Sequence, residues 1–478
     1  MSENHDCDVV VVGGGIAGMT AANRAAQQGL KVVLLERGVA ERYLCNTRYS
    51  GGVIHLAFRN VKDRPEELME TIKQATSGNA DPALAKALAT TCGRAVDWLS
   101  GEGAKFIRVG QIAWQQWVLA PPRRIMPGLD WEGRGPDFTL RTLANNFGTR
   151  GGRIFRGTAA TALMERNGAC TGVEAQDAQG THQFNARAVV LADGGFQGNL
   201  ELVRRHICSV PEKLKQRGPS TGVGDGLRMA QAMGARVPGL DYFYGHMLSR
   251  DAFTNDVVWP YPQLDELGIA GIVVNTAGER FADEGLGGVY LANAIAKLPD
   301  PLAAWAIFDE AIWQGPGTTA RIPANPHLVK AGGTMLKANT LRELAAQAGI
   351  AAGPLEVTVA ECERALSAGR LAQLDPPRSP SAVEALPIRQ PPFYAVPLCA
   401  GITYTFGGLA IDEHGRVLRS DGGPISGLYA VGATTGGLEG VKGCGYVGGL
   451  VKGLVFGLRA AEHAAKKADN ASGAAADS

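Results

Sequence analysis

Three glycines near the start of the chain are spaced for phosphate chemistry. They fall in Val12-Gly13-Gly14-Gly15-Ile16-Ala17-Gly18, a G-x-G-x-x-G turn. In such a turn the first glycine permits a tight reversal and the second lets backbone approach a pyrophosphate. The third lets a helix pack closely on a strand. A helix opening at Ile16 and Ala17 would offer free N–H groups and a partial positive charge to that phosphate. Glu36 supplies the acid that accepts hydrogen bonds from ribose hydroxyls.

A glycine turn alone is weak evidence, and its context gives it weight. Asp8–Val12 reads as a buried strand, Met19–Gln28 as an alanine-rich helix, and Lys31–Leu35 as a second strand ending at Glu36. This is a βαβ unit for a dinucleotide. A second glycine turn, Gly427-Leu-Tyr-Ala-Val-Gly432-Ala433-Thr-Thr-Gly-Gly437, stands near the other end of the chain. Gly448-Gly449 then opens a last helix with Leu450 and Val451. A second helix N-terminus aimed at the ligand suits isoalloxazine carbonyls, which collect negative charge on reduction, so the dinucleotide is FAD rather than NAD.

The remaining segments must position these two turns. Residues 151–200 read mostly as strands, 226–235 as a helix, and 240–300 as an aromatic-, proline- and glycine-rich stretch. Short helices follow at Leu341–Gln347 and Val357–Ser367, strands return from 393, and Val451–Lys466 is a final helix. The architecture expected is α/β, a Rossmann-type FAD-binding domain with an inserted α+β cap that holds the substrate. FAD-binding segments would span 1–240 and 385–470, the cap 241–384, and a disordered tail 471–478. The 64 glycines, about twice the usual share, agree with many tight turns and close approaches to a ligand.

A net charge of +1 gives no electrostatic reason to expect nucleic acid or an anionic membrane as partner. The eight cysteines form no C-x-x-C pair, so zinc, iron–sulfur and c-type haem spacings are absent and no metal site is expected. Reduced thiols, a strand within eight residues of Met1 and no apolar run of transmembrane length place the expected location in the cytoplasm.

Together these motifs resemble the fumarate reductase/succinate dehydrogenase flavoprotein superfamily, which also holds ketosteroid Δ1-dehydrogenases and tricarballylate dehydrogenases. Besides the two turns, the resemblance rests on Asn46-Thr47-Arg48-Tyr-Ser50-Gly51-Gly52 and Val189-Val-Leu-Ala192-Asp193-Gly194-Gly-Phe196. It continues through Gly222-Val-Gly-Asp225-Gly-Leu-Arg-Met-Ala230, Val274-Asn-Thr-Ala-Gly-Glu-Arg-Phe281 and Thr403-Tyr-Thr-Phe-Gly-Gly-Leu409. It implies cofactor contacts at Arg37, Asn46, Thr47, Arg48, Ser50, Gly51, Gly52, Ala159, Ala192, Asp193, Gly194 and Asp225, besides Glu36 and the two turns. It also implies a small-molecule substrate dehydrogenated or reduced at an activated C–C bond, with an external electron acceptor or donor. Cys45 stands in the region where succinate dehydrogenases attach flavin to a histidine, so the FAD is expected to be noncovalent. Ala433 replaces the acid usual after the second turn's Tyr-Ala-x-Gly.

The departures bear on substrate. Residues 281–296 lack the arginine that fumarate reductases use as proton donor; Tyr290 lies there instead. Tyr404 and Tyr446 stand where a histidine and an arginine are usual, whereas His246 matches a substrate histidine. A carboxylate without a cationic partner would cost several kcal/mol to bury, and a ketone needs only hydrogen-bond donors. The leading expectation is a ketone desaturase acting on a cyclic ketone, keto acid or ketosteroid. Tyr446 would polarise the carbonyl, and Tyr290 or Tyr404 would remove the α-proton. The alternative is a di- or tricarboxylate enzyme with a rearranged clamp of Arg48, Arg250, Lys442 and His246, and a third possibility is a non-enzymatic flavin carrier. Gly15→Val is expected to abolish FAD binding, because its side chain would occupy the pyrophosphate's position. Acid precipitation of the native protein should release all its flavin into the supernatant; flavin retained on the pellet would implicate Cys45.

Overall fold

The computed structural model of the chain describes residues 3–440 and 445–476. The valine run is the buried end of strand Glu3–Val12. This strand pairs in parallel with Val32–Glu36 on one side and Thr181–Leu191 on the other. Both neighbours are buried aliphatic runs where they flank it, as central parallel strands covered on two faces require. Arg153–Arg156 extends the sheet beyond Val32–Glu36, and Pro424–Ala430 extends it beyond Thr181–Leu191. An antiparallel hairpin, Ala159–Arg166 with Ala169–Gln176, and an antiparallel edge strand, Arg416–Leu418, complete eight strands.

The chain leaves the first strand toward one neighbour and returns later on its other side. A crevice therefore opens above the carboxyl ends of Val12, Glu36, Leu191 and Ala430, the switch point where open α/β sheets bind ligands. Gly13 turns there with φ +102°, and a side chain on it would meet the carbonyl oxygen of Ala192 at 2.5 Å. A Cβ at Gly18 would lie 1.9 Å from the carbonyl oxygen of Gly13, so helix Ile16–Gln27 reaches the sheet only because that atom is missing.

A second sheet runs in the order Phe243–Ser249, Phe393–Thr405, Trp305–Asp309, Ile272–Val274, with Leu336–Ala338 and Lys215–Gln216 also pairing to Phe393–Thr405. The long strand Phe393–Thr405, expected with the returning FAD-binding segment, is thus the centre of the other sheet. Its 13 residues are nearly all buried and pair on both edges, which ties it there. The helices expected at Leu341–Gln347 and Val357–Ser367 are present as Leu341–Ala348 and Ala352–Ser367. The last helix runs Gly449–Ala476, well past Lys466 and into the segment expected to be disordered. Its alanine-rich composition favours continuation of the helix. Among the described residues no helix is long and apolar enough to cross a membrane. Gly18→Ala is expected to destabilise the fold by about 1–3 kcal/mol, read as a lower denaturant midpoint with an unchanged slope.

Candidate active site

A cavity of about 370 Å³ occupies the crevice and continues to the second sheet. One end is lined by Gly13, Gly15, Ile16, Ala17, Glu36 and Arg37, the sheet side by Ala192, Asp193 and Gly194, and the far end by aromatic side chains. The cofactor end is built for a dinucleotide. Helix Ile16–Gln27 has no side-chain cap; the Ile16 N–H donates to Thr47 Oγ1 at 3.0 Å, and the next N–H groups face the ligand space. Glu36 is buried, accepts from the Gly14 N–H (2.9 Å) and the Gly38 N–H (2.7 Å), and has its carboxyl pushed up by burial. Asn46 Oδ1 and Gln197 Oε1 are buried without a partner beside this space, acceptors left over for a ligand. Burial raises the Asp193 carboxyl to about 6 and the Cys45 thiol to about 11.

The aromatic end is organised by strand alternation. Tyr244 and His246 share one face of Phe243–Ser249, and Tyr244 lies opposite Tyr404 in the neighbouring strand. The Tyr244 ring stacks on Tyr446 with centroids 4.1 Å apart, and their hydroxyls are within hydrogen-bonding reach. Tyr244 Oη meets His246 Nε2 at 2.9 Å, and His246 Nδ1 meets Asp265 Oδ2 at 2.5 Å. Burial raises the phenols of Tyr244, Tyr404 and Tyr446, and it lowers His246 against the pull of Asp265.

Three arginines line the same end: Arg123, Arg217 and Arg321. Arg123 and Arg217 are only 5% and 7% exposed, yet none of the three has an ion-pair partner among the described residues. Arg123 lies over Tyr261 (4.6 Å) and donates to the carbonyl oxygen of Gly128; Arg217 donates to Thr403 Oγ1 at 2.7 Å. The Nε of each remains unpartnered. Buried guanidinium groups without an anion carry an uncompensated desolvation cost of several kcal/mol, so this end is prepared for an anionic ligand.

The cavity gathers every expected cofactor residue except Gly18, Arg48 and Val451. Gly18 acts through packing; Val451 is fully buried away from the cavity. Arg48 is buried in an ion pair with Asp137 and donates to the carbonyl oxygen of Tyr43 (2.8 Å), so it braces the loop and is unavailable to a ligand. Arg250 lies over Trp305 and donates to the Ala304 carbonyl oxygen, also off the cavity, and Lys442 lies outside the described residues. Of the expected clamp, His246 lines the cavity; the guanidinium groups at the aromatic end are those of Arg123, Arg217 and Arg321, which no local motif marks. Of the expected catalytic residues, His246, Tyr404 and Tyr446 line the cavity. Tyr290 does not: it sits in the first turn of helix Gly288–Ala296, half-buried against the cluster of Tyr404 and Phe406. Away from the cavity, Glu3, His5 and His182 bring side-chain ligand atoms within 4.0 Å of one another, a grouping the spacing of these residues in sequence does not reveal.

Sequence reasoning also missed a buried ion pair beneath Tyr404. Glu439 accepts from Lys452 Nζ at 2.6 Å and from the Val447 N–H at 2.9 Å, and the Tyr404 hydroxyl lies 3.3 Å from it. The signal was Lys452, a lone cation in the apolar run Leu450–Phe456. Lys452→Met should cost about 3–5 kcal/mol by leaving Glu439 charged and unpaired. Lys452→Met combined with Glu439→Gln should recover part of the loss in thermal unfolding.

The comparisons with known proteins agree with this geometry. Residues 8–446 match the family model described as FAD binding domain. The chain is 28% identical over 478 residues to the fumarate reductase (cytochrome) of Shewanella frigidimarina, covering 97% of this chain and 78% of that one. It is 27% identical over 568 residues to the 4-oxocyclohexanecarboxylate 2-dehydrogenase of Sinomonas cyclohexanicum, covering 98% and 95%. It is 29% identical over 497 residues to the NADH:acrylate oxidoreductase of Vibrio harveyi, covering 90% of this chain but spanning only 48% of that protein. The 3-ketosteroid-delta4-(5alpha)-dehydrogenase structure from Rhodococcus jostii RHA1 superposes with a TM-score of 0.73 at 24% identity, over 97% of this chain and 98% of that one, a likeness of fold. The chain belongs to the FAD binding domain family and is an FAD-dependent oxidoreductase.

Proposed function

We propose that this enzyme desaturates, or in reverse reduces, the C–C bond beside a carbonyl in a keto acid. The observation that carries the reading is the meeting of buried phenols with uncompensated arginines at one end of the cavity. Bound FAD supplies the acceptor for a hydride from the β-carbon. Tyr446 and the neighbouring Gly449 N–H, which lies against its hydroxyl, are donors for a carbonyl oxygen that gains charge as the α-proton leaves. The arginines pair with the carboxylate and hold the carbonyl toward the phenols, a positioning effect that costs no chemistry. A neutral ketosteroid would leave those guanidinium groups buried and unpaired, so the acid is favoured within the ketone class. The activity printed for the Sinomonas relative, on 4-oxocyclohexanecarboxylate, supports the same choice. The cofactor is noncovalent in this reading, because the buried Cys45 thiol holds its proton and is a poor nucleophile. Three guanidinium groups also suit a di- or tricarboxylate, the second reading.

Anaerobic flavin bleaching separates the two. 4-Oxocyclohexanecarboxylate should bleach the flavin faster than cyclohexanone, while succinate and tricarballylate leave it yellow; the opposite pattern would establish the carboxylate reading. Tyr446→Phe should lower the turnover number roughly 10²-fold, the scale for one oxyanion donor. Arg217→Met should raise the KM for the keto acid about 10- to 100-fold, as expected for a lost hydrogen bond to a charged group, with FAD content unchanged.

A further inference from the structure

The α-proton needs a destination, and neither of the two tyrosines first considered offers one. Tyr290 is outside the cavity lining. Tyr404 faces Glu439, whose carboxylate already holds Lys452 and the Val447 N–H. A proton arriving on that carboxylate would dissolve a buried ion pair and leave the Lys452 charge unpaired.

Tyr244 is differently placed. It lines the cavity, and its hydroxyl meets an imidazole nitrogen, His246 Nε2, at 2.9 Å as well as the Tyr446 hydroxyl. The opposite nitrogen of that ring, Nδ1, is held at 2.5 Å by Asp265 Oδ2. Asp265 is itself fixed: its other oxygen accepts from the Met247 N–H at 2.9 Å, on the strand that carries Tyr244 and His246. The aspartate thus orients the ring so that Nδ1 carries the hydrogen and Nε2 presents a lone pair to the phenol. Beside Tyr244, the Arg217 guanidinium offers a positive charge to any negative charge that forms on its oxygen.

We propose that Tyr244, backed by His246 and Asp265, is the general base of the reaction, a Tyr–His–Asp triad formed by strand Phe243–Ser249 and the helix that opens at Asp265. The inference rests on the keto acid reading above. In the step, the α-carbon's C–H bond breaks and its electron pair passes into the enolate, whose oxygen is held by the carbonyl donors. The proton goes to Tyr244 Oη as the phenol's own proton moves to His246 Nε2. The resulting imidazolium stays paired with the Asp265 carboxylate. No electrons change hands in this step, and the phenol never carries a full charge in the apolar cluster. Tyr244 is the catalytic residue; His246 and Asp265 are positioning residues that act through it.

The test uses the FAD-loaded enzyme. With [15N]histidine labelling, the His246 ring signals, identified by their loss in His246→Gln, should show hydrogen on Nδ1 and a bare Nε2. Asp265→Asn should shift the hydrogen toward Nε2. Tyr244→Phe and Asp265→Asn should each slow flavin bleaching by 4-oxocyclohexanecarboxylate roughly 10²- to 10⁴-fold, the general-base range, with FAD content and keto acid KM little changed. Hydrogen on Nε2 in the native enzyme, or an unchanged tautomer in Asp265→Asn, overturns the triad. Wild-type bleaching by Tyr244→Phe overturns it as well while leaving the keto acid reading intact. A native enzyme that the keto acid does not bleach, but succinate does, removes that reading and the base role with it.

Discussion

The contact between Gly18 and the carbonyl of Gly13 is the constraint on which the rest depends. Because nothing stands between helix and strand there, the helix N-terminus lies at the carboxyl edge of the sheet instead of a side chain's width away. Its free N–H groups then face the same crevice as Glu36 and Asp193. Each of these groups alone is commonplace. Their convergence at one sheet edge makes a cradle for an anionic dinucleotide, since dipole, donors and ribose acceptor act on one ligand.

The second sheet depends on that edge in turn. Strand Phe393–Thr405 carries Tyr404 at its end, and the chain runs from it through Arg416–Leu418 and Pro424–Ala430 of the first sheet to the turn at Gly432. The pairing of this strand with Phe243–Ser249 sets the register of Tyr244 against Tyr404 and puts His246 on the same face. A one-residue slip would send all three to the opposite face. The phenols therefore owe their meeting with Tyr446, which arrives from the loop before the last helix, to backbone pairing more than to any attraction among the rings.

Charge in the site divides into two kinds. Glu439 with Lys452 and Arg48 with Asp137 are closed pairs that satisfy each other and brace loops under the cavity. Arg123 and Arg217 are open, holding desolvated positive charge with only neutral partners, and the half-buried Arg321 lines the same cavity. The first kind costs most when one partner is removed; the second is relieved by an arriving anion. That distinction is invisible in a list of charged residues and is what directs the functional reading toward an acid.

The sequence alone determined the cofactor site, because G-x-G-x-x-G, the acid at Glu36 and the second glycine turn are local signals whose geometry follows from missing side chains and a following helix. It also singled out Tyr404, Tyr446 and His246, which line the aromatic end of the cavity. Tertiary structure decided what those residues touch. Asp265 reaches His246 from a separate helix, Arg123, Arg217 and Arg321 come from three distant loops, and Glu439 meets Lys452 of the last helix. Tyr290 lost its expected place because a helix starting at Gly288 turns it onto the aromatic cluster instead of the cavity. Local patterns carry backbone geometry, whereas the partner of a buried charge or phenol is fixed only when distant segments pack together.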